Sequence, residues 1–174
     1  MVSESLQDLK FLKTRFNVNP ILAILTNRGF HALFFYRISN KLYRWKIPII
    51  PLILTRIIQV FYAIDIDFKA EIAGGIIIIH GVGIVIGQGG KIGTGTIIYH
   101  GVTLGRKRQL IEVTTGDGYP VVGENCVLGA GAKLVGSINV GANSIIGPNV
   151  VLMKSVAENS LVKSPDPLIL NKYK

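Results

Sequence analysis

The sequence is poor in cysteine, in charged residues and, over its first third, in acidic side chains. Cys126 is its single cysteine, so an intramolecular disulfide framework is excluded and a reducing compartment is favoured. Charged residues make up 17% of the chain and hydrophobic residues 49%, a balance too apolar for a disordered protein. At 174 residues, the chain is long enough for one domain with an additional helical region.

Recognisable targeting and membrane-spanning segments are also missing from these residues. Residues 1–18 are polar and mixed in charge, unlike a secretory signal peptide. The most apolar N-terminal stretch, Ile47 to Ile64, contains Pro48, Pro51 and a central Arg56, whereas a spanning helix needs about 20 apolar residues. We therefore expect a cytoplasmic protein in which this helix is buried against a partner or lies on a membrane surface.

The net charge of +9 is concentrated in the N-terminal region. Residues 1–64 contain nine Lys and Arg against two acidic residues, whereas the rest of the chain contains ten against eight. This basic segment predicts an anionic partner, and it is compatible with peripheral membrane contact through its helices. A solvated helix face is the alternative for Arg37, Lys41 and Arg44. We expect no nucleic-acid partner, because no recognised binding motif is present.

The hydrophobic pattern changes its period along the chain. In FHALFFYRISNKLYRW, apolar residues recur at steps of three and four, which predicts an amphipathic helix. From Ile72 onward the period is six, and residues 122–157 divide into VGENCV, LGAGAK, LVGSIN, VGANSI, IGPNVV and LMKSVA. An aliphatic residue at every sixth position predicts a solenoid with three short strands to a coil and a core built by stacking coils. Cys126 occupies a small-residue position of this repeat and is interpreted as a packing residue.

One offset and one interruption break the period of six. The hexapeptides upstream of residue 86 are offset by two residues, and the irregularity lies beside His80. Residues 106–121, RKRQLIEVTTGDGYPV, are polar and predict a loop outside the stack. The predicted organisation is an α-helical region (1–64), a β-helix with this extended loop (65–162) and a C-terminal tail (163–174).

Four segments resemble the left-handed parallel β-helix acyltransferases, and within them the serine acetyltransferases. They are GFHALFFYRI, DIDFKAEIAGGIIIIHGVGIVIG, GVTLG and GAGAKLVGSINVGANSIIGPNVVL. The interval from Asp65 to His80 also matches the spacing between the family's catalytic Asp and His. The resemblance implies a mainly β fold, a left-handed parallel β-helix of hexapeptide repeats behind a short α-helical region. It also implies an acetyl-CoA-dependent O-acetyltransferase, built as a homotrimer with active sites between subunits.

His80 is the candidate catalytic base of such an enzyme. A hydroxyl is a poor nucleophile until its proton is removed, and a neutral imidazole with a pKa of about 6.5 suits that task. Asp65 would accept the other ring N–H and stabilise the imidazolium. A core histidine satisfied by one backbone hydrogen bond is the alternative for His80. The oxyanion would need a donor, such as a backbone N–H near Gly105 or the Tyr119 hydroxyl.

The resemblance also indicates where acetyl-CoA binds. It places the pantetheine arm along the solenoid edge, near Gly105, Ala130, Gly131, Ala132 and Lys133, with Lys154 as a further candidate. Arg106, with Lys107 and Arg108, would pair with the phosphates, and a solvated basic loop is the alternative. No cluster of residues indicates a metal site, so acetyl-CoA is expected to act without a metal.

The match departs from the serine acetyltransferases where they bind the amino acid. The family usually carries Asp immediately before the catalytic His, where this chain has Ile79, and an Arg-His pair before the loop proline, where it has Gly118 and Tyr119. An unpaired ammonium or carboxylate in a closed site costs on the order of a few kcal/mol. These departures therefore disfavour serine as the acceptor.

His100 suggests a different acceptor. It lies in IIYHGVTLG, close to one coil after His80, and an HGVT pattern is common in β-helix acetyltransferases that modify surface polysaccharides. We therefore expect transfer to a sugar hydroxyl in surface polysaccharide synthesis, with His100 and Tyr119 contacting the acceptor. A corner histidine facing solvent is the alternative for His100. L-serine is the first alternative acceptor, and a non-enzymatic trimeric scaffold is the remote alternative function.

Overall fold

The helical prediction for the N-terminal region is confirmed by the computed structural model, which describes residues 2–107 and 118–165. Within those ranges the chain forms four helices, which are α1 (Val2–Phe16), α2 (Pro20–Thr26), α3 (Arg28–Arg44) and α4 (Ile50–Tyr62). After α4, Ala63 takes the left-handed conformation with φ 53°, and the first strand begins at Ile64. No helix in the described ranges is both long enough and apolar enough to cross a bilayer.

Fourteen strands of two or three residues follow in the described ranges. They are β1 (Ile64–Ile66), β2 (Glu71–Ile72), β3 (Ile77–Ile79), β4 (Ile84–Ile86), β5 (Lys91–Ile92), β6 (Ile97–Tyr99), β7 (Thr103–Gly105), β8 (Val121–Val122), β9 (Val127–Leu128), β10 (Lys133–Val135), β11 (Asn139–Val140), β12 (Ile145–Ile146), β13 (Val151–Leu152) and β14 (Leu161–Val162). All of their pairings are parallel.

Up to β13 every third strand joins the same sheet, so the chain winds through three sheets in turn, and β14 then follows β12 in the third sheet. The first sheet has the order β1-β4-β7-β10-β13, the second β2-β5-β8-β11 and the third β3-β6-β9-β12-β14. Three successive strands therefore make one coil, and each coil pairs with the coils before and after it. This is the parallel β-helix that the six-residue period predicted.

The core of the β-helix consists of aliphatic side chains stacked in columns. One such column runs through Ile66, Ile86, Leu104, Leu134 and Leu152, which occupy equivalent positions in the first sheet and are all buried. Burying one aliphatic side chain contributes about 1.5–3 kcal/mol, so each column adds stability at every coil. Between the sheets Cys126 is also fully buried, as the packing interpretation predicted, and burial raises the pKa of its thiol.

The two-residue offset beside His80 is present as a lengthened corner. Ile79 pairs with Tyr99 and Val85 with Thr103, so five residues (80–84) lie between the paired positions in one coil and three (100–102) in the next, a difference of two. In the longer corner, Gly81 and Gly83 both have φ 76°, a conformation that glycine adopts without steric cost.

A buried ion pair that the sequence analysis did not anticipate joins the helices to the first coil. The guanidinium of Arg37 in α3 donates to both carboxylate oxygens of Asp8 in α1, over 2.9–3.0 Å, and both side chains are buried. Arg37 also donates to the carbonyls of Ile72 and Ala73, while Asp8 accepts from the N–H of Ile76. The predictions of a solvated or lipid-facing Arg37 are therefore wrong, because its guanidinium is buried and hydrogen-bonded to Asp8 and to the first coil.

Two more side chains of α3 contact the same end of the β-helix. The Tyr36 hydroxyl donates to the carbonyl of Ala70 and accepts from the N–H of Ile72, and the Asn40 amide donates to the carbonyl of Phe68. Strand β2 is the edge strand of the second sheet at the N-terminal end of the β-helix, so no further coil pairs with these backbone groups on that side. Helix α3 consequently caps the open end of the β-helix.

Replacing Arg37 with Leu is expected to lower the free energy of unfolding by about 3–5 kcal/mol, because Asp8 would stay buried without its counter-charge. Burial raises the pKa of Asp8, and the guanidinium opposes that rise, so in Arg37→Leu the carboxyl takes up a proton more readily. A raised folded-state pKa costs stability as the pH rises above the unfolded-state value. The loss measured by urea unfolding should therefore be smaller near about pH 5 than near about pH 8.

The matched control is Lys41→Leu, an exposed basic residue one turn further along α3. A surface substitution of this kind should change the free energy of unfolding by no more than about 0.5 kcal/mol. Equal losses in the two variants would contradict the assigned role of Arg37.

Candidate active site

The corners between the third and the first sheet form one long edge of the β-helix, here called the histidine edge. It consists of residues 80–83, 100–102, 129–132 and 147–150. Backbone hydrogen bonds link these corners from coil to coil, because the N–H of Gly101 donates to Val82 and the N–H of Gly131 donates to His100, both over 2.9 Å. Side chains on this edge are thereby aligned along the axis of the stack.

His80 and His100 meet on the histidine edge. Both are exposed, and their rings pack edge to face with centroids 5.9 Å apart. The alternative of a core histidine is therefore wrong for His80. His80 also has φ 63°, in the left-handed region that a non-glycine residue occupies at a cost of about 1 kcal/mol. An exposed, strained histidine contributes nothing to the core, which makes it a candidate for chemistry.

Asp65 lies on the outer face of the first sheet, next to the histidine edge. It occupies the same ladder position as Val85, Thr103, Lys133 and Val151 in the following coils. Its half-buried carboxylate accepts a 3.5 Å hydrogen bond from the amide of Gln59 in α4. Within residues 2–107 and 118–165, no hydrogen bond connects Asp65 to His80, so their catalytic pairing stays a prediction.

The residues predicted to hold acetyl-CoA fall on both edges of the first sheet. Ala130, Gly131 and Ala132 belong to the histidine edge, and the ammonium of Lys133 donates to the carbonyl of Gly101 there, over 2.6 Å. Three further candidates lie at the other edge. Gly105 ends strand β7, Arg106 follows it, and Lys154 comes after strand β13. Arg108 and the rest of the predicted loop as far as residue 117 lie outside the described residues.

Tyr119 lies at a different corner from His80. Its ring covers Gly87 and Gly89, between β4 and β5, so closely that a Cβ atom on either glycine would overlap it. His80 precedes β4, whereas this corner follows β4, so a strand separates the two residues. Contact between Tyr119 and an acceptor at His80 is therefore not formed within one chain, because the two glycines fix the ring at the other edge of the first sheet.

A cavity of about 360 Å³ opens between the helices and the third sheet, directly beside His80. Its walls include Leu12 of α1, Asn27 and Arg28 at the start of α3, and strand β3. Arg28 is the one permanently charged side chain among the described residues that line it. The cavity can therefore receive a small molecule with an anionic group next to the imidazole.

Arg28 was not among the predicted site residues, because it lies before the amphipathic run and outside the hexapeptide repeats. In the structure Asn27 is the N-cap of α3, and its side chain accepts from the N–H of Phe30 over 2.8 Å. Arg28 is thus the first residue of a capped helix, where the N-terminal backbone N–H groups also favour anions. In the sequence, Arg28 could have been noticed as a cation directly after an N-cap residue. That signal does not locate the site, because only the packing of α3 against β3 brings Arg28 near His80.

Larger cavities are present elsewhere in the described structure, but His80 does not line any of them. A cavity of about 530 Å³ lies over the second sheet beside α3, and its lining does not include His80. Among the described residues, no group of three or more His, Cys, Asp or Glu side chains could hold a metal ion. The smaller cavity and the histidine edge are favoured because His80, the candidate base, lies on both.

Comparisons with known proteins agree with this architecture. The family model Bacterial transferase hexapeptide (six repeats) matches residues 119–154. A serine acetyltransferase of Helicobacter pylori (strain ATCC 700392 / 26695) is 36% identical over 137 residues, which cover 79% of this chain and 78% of that protein. Serine acetyltransferase 2 of Arabidopsis thaliana is 39% identical over 140 residues, which cover 80% of this chain and 42% of that protein.

A solved structure is also closely similar. The serine acetyltransferase of Brucella abortus strain S19, in complex with coenzyme A, superposes with a TM-score of 0.85 at 28% identity, covering 94% of this chain and 65% of that one. The prediction of a left-handed parallel β-helix with N-terminal helices is confirmed. The chain spans about half the length of the first curated relatives it matches.

The strain at His80 can be measured by replacing it with glycine. His80→Gly removes the conformational strain of a non-glycine residue at positive φ, and this gain offsets the extra entropy that glycine loses on folding. His100→Gly relieves no such strain, because His100 has no positive φ. We expect His80→Gly to leave the free energy of unfolding unchanged or slightly higher, and His100→Gly to lower it by about 1 kcal/mol. Urea unfolding of both variants checks this difference, and equal losses would show that His80 is unstrained.

Proposed function

The chain belongs to the serine acetyltransferase family of hexapeptide-repeat transferases, and on this premise we propose that it is an acetyl-CoA-dependent O-acetyltransferase. The observation that carries the proposal is the exposed, strained His80, which stands between a cavity and an edge of stacked backbone. The relative solved with coenzyme A supports the choice of donor.

The proposed reaction passes one acetyl group from sulfur to oxygen. The imidazole of His80 accepts the proton of the acceptor hydroxyl as its oxygen attacks the thioester carbonyl. The C–S bond then breaks, and the departing thiolate receives the proton from the imidazolium, so an O-acetyl ester and free CoA are formed. Asp65 would stabilise the imidazolium once its carboxylate turns from Gln59 towards the histidine edge.

Acetyl-CoA fits the residues on the histidine edge. Gly83, Gly101 and Gly131 occupy successive coils of this edge and all have positive φ, so the edge carries no side chain at these three positions. An extended arm that pairs with backbone groups can therefore lie along it. Lys133 on this edge, and Arg106 and Lys154 on the other, would hold the phosphates, since cations suit anionic groups.

We also propose a homotrimer with sites between subunits. Val82, Val85 and Val151 are 41–64% exposed on or beside the first sheet, and a neighbouring subunit would cover them and close the site. Tyr119 and His80 lie at opposite edges of the first sheet. Tyr119 would therefore reach an acceptor at the His80 of a neighbouring subunit, where the edges of two subunits meet.

L-serine is the acceptor that the relatives support, since they are named serine acetyltransferases, and a role in surface polysaccharide synthesis is not supported by them. Arg28 supplies the cation that a serine carboxylate requires. One observation favours a second candidate, a sugar hydroxyl. Ile79 is half-buried beside His80, and no acidic side chain is among the described residues lining the cavity, so a serine ammonium would have no counter-charge there.

His80→Ala is expected to lower kcat/KM for acetyl transfer by about 100-fold or more, because the general base is lost. CoA release from acetyl-CoA, with serine or sugars present, measures the rate, and circular dichroism confirms that the variant is folded. His100→Ala, the exposed neighbour on the same edge, is the matched control and should lose less. If wild type and His80→Ala release CoA at the same background rate, the chain acts as a scaffold.

Arg28→Gln is expected to separate the two acceptors. Loss of a charge-assisted hydrogen bond to a carboxylate should raise the KM for serine by about 10-fold or more, and leave the KM for a neutral sugar unchanged. Initial rates with serine and with a panel of neutral oligosaccharides provide the measurement, and Lys10→Gln is the control on an exposed residue of α1. Efficient turnover of a sugar without turnover of serine would overturn the assignment of serine.

A further inference from the structure

Helix α4 has two apolar faces, and one of them is exposed. Its inner face packs through Pro51, Thr55 and Ile58, which are buried. Its outer face consists of Ile50, Ile53, Ile57, Val60 and Phe61, which are 41–81% exposed and recur at helical steps. This set of five residues is here called the outer face of α4. A soluble surface helix normally places polar residues there, so the outer face requires a partner.

The apolar surface continues beyond α4. A cavity of about 470 Å³ between α1, α2 and α3 is lined by side chains such as Leu6, Ile24 and Phe34, and it ends at Tyr62 of α4. A second cavity shares Tyr62 and continues to Val60 and Phe61. The outer face of α4 is therefore joined to the apolar groove of the other helices.

The exposed charge of the helices is almost entirely positive. No Asp or Glu occurs between residues 9 and 64, while nine Lys and Arg do. Arg37 is the member of that set paired inside the fold with Asp8. The other eight are exposed, namely Lys10, Lys13, Arg15, Arg28, Lys41, Arg44, Lys46 and Arg56. The helical region therefore combines its exposed apolar side chains with eight exposed cations, against Glu4 as its one acidic side chain besides the buried Asp8.

The connection into α4 has the composition of a membrane interface. Trp45 is 62% exposed at the end of α3, with the ammonium of Lys41 4.6 Å from its ring centroid, and Lys46 follows it. Aromatic rings next to Lys and Arg are enriched at the level of lipid head groups. Exposed apolar or aromatic side chains with nearby cations are thus present both on the outer face of α4 and at Trp45.

We propose that the outer face of α4, together with Trp45 and the surrounding cations, seats the protein on an anionic lipid bilayer. A second copy related by a twofold axis is a poorer occupant, because that contact would bring the same cations face to face, with Glu4 as the one carboxylate of the helices besides the buried Asp8. The contacts of the proposed homotrimer are of a different kind, since its subunits meet head to tail along the first sheet. An amphipathic helix that lies in the interface buries its apolar side chains among lipids, and its cations attract anionic head groups.

Flotation of the full chain with lipid vesicles tests this surface. We expect it to float with vesicles of phosphatidylcholine containing about 30% phosphatidylglycerol, to bind pure phosphatidylcholine at least about 10-fold more weakly, and to dissociate at about 0.5 M salt. Ile57→Ser with Phe61→Ser should weaken binding to the anionic vesicles at least about 10-fold, since burial of apolar area is lost. Arg44→Gln with Lys46→Gln should have a comparable effect.

The matched controls lie at the far end of the β-helix. Leu161→Ser removes a 58% exposed apolar side chain of β14, and Lys163→Gln removes an exposed charge, so neither should change binding. Unchanged flotation of the Ile57/Phe61 variant would overturn the proposal. A failure of the parent chain to float, with a smaller assembly for that variant in analytical ultracentrifugation, would assign the outer face to a second copy instead. These readouts do not depend on acetyl transfer.

Discussion

A β-helix has to end, and its end coil exposes backbone groups that no neighbouring coil can pair. In this protein that requirement is met by α3 and α1. Tyr36, Arg37 and Asn40 bind the free carbonyls and one free N–H of the first coil, and Asp8 binds another N–H while it neutralises Arg37. Unpaired groups in this buried setting would destabilise the fold and offer an edge for aggregation. The helical region is therefore part of the β-helix and not an appendage to it.

The same capping helix also builds the candidate site. Because α3 is held on the first coil, its first residues reach β3, where Gly29 lies so close to Ile78 that a Cβ atom would overlap the Ile78 carbonyl. Only glycine permits this approach, and Arg28 is consequently placed beside the cavity at His80. The position of an anion-binding side chain next to the imidazole thus follows from how the end of the β-helix is closed.

The repeat was predictable from sequence because each hexapeptide carries its own signal. The same is true of the irregularity at His80, which is visible as a two-residue change of phase and is found as a lengthened corner. The burial of Arg37 was not predictable, since Arg37, Lys41 and Arg44 recur at helical steps whether the face is solvated or caps a coil. The positions of Arg28 and Tyr119 also escaped prediction, because each depends on packing between segments distant in the sequence and not on a local pattern.

Helix α4 is where the proposed chemistry and the proposed membrane contact meet. Ile58 faces the fold, Val60 faces outward, and Gln59 between them donates to Asp65 while it accepts from Arg56. Gln59 therefore contacts the carboxylate that would support His80, while Val60 and Phe61 after it belong to the outer face. That carboxylate is held by a single hydrogen bond of 3.5 Å, a length at which the interaction is weak. Asp65 is thus linked by one hydrogen bond to a helix whose outer face has no partner within the described part of the chain.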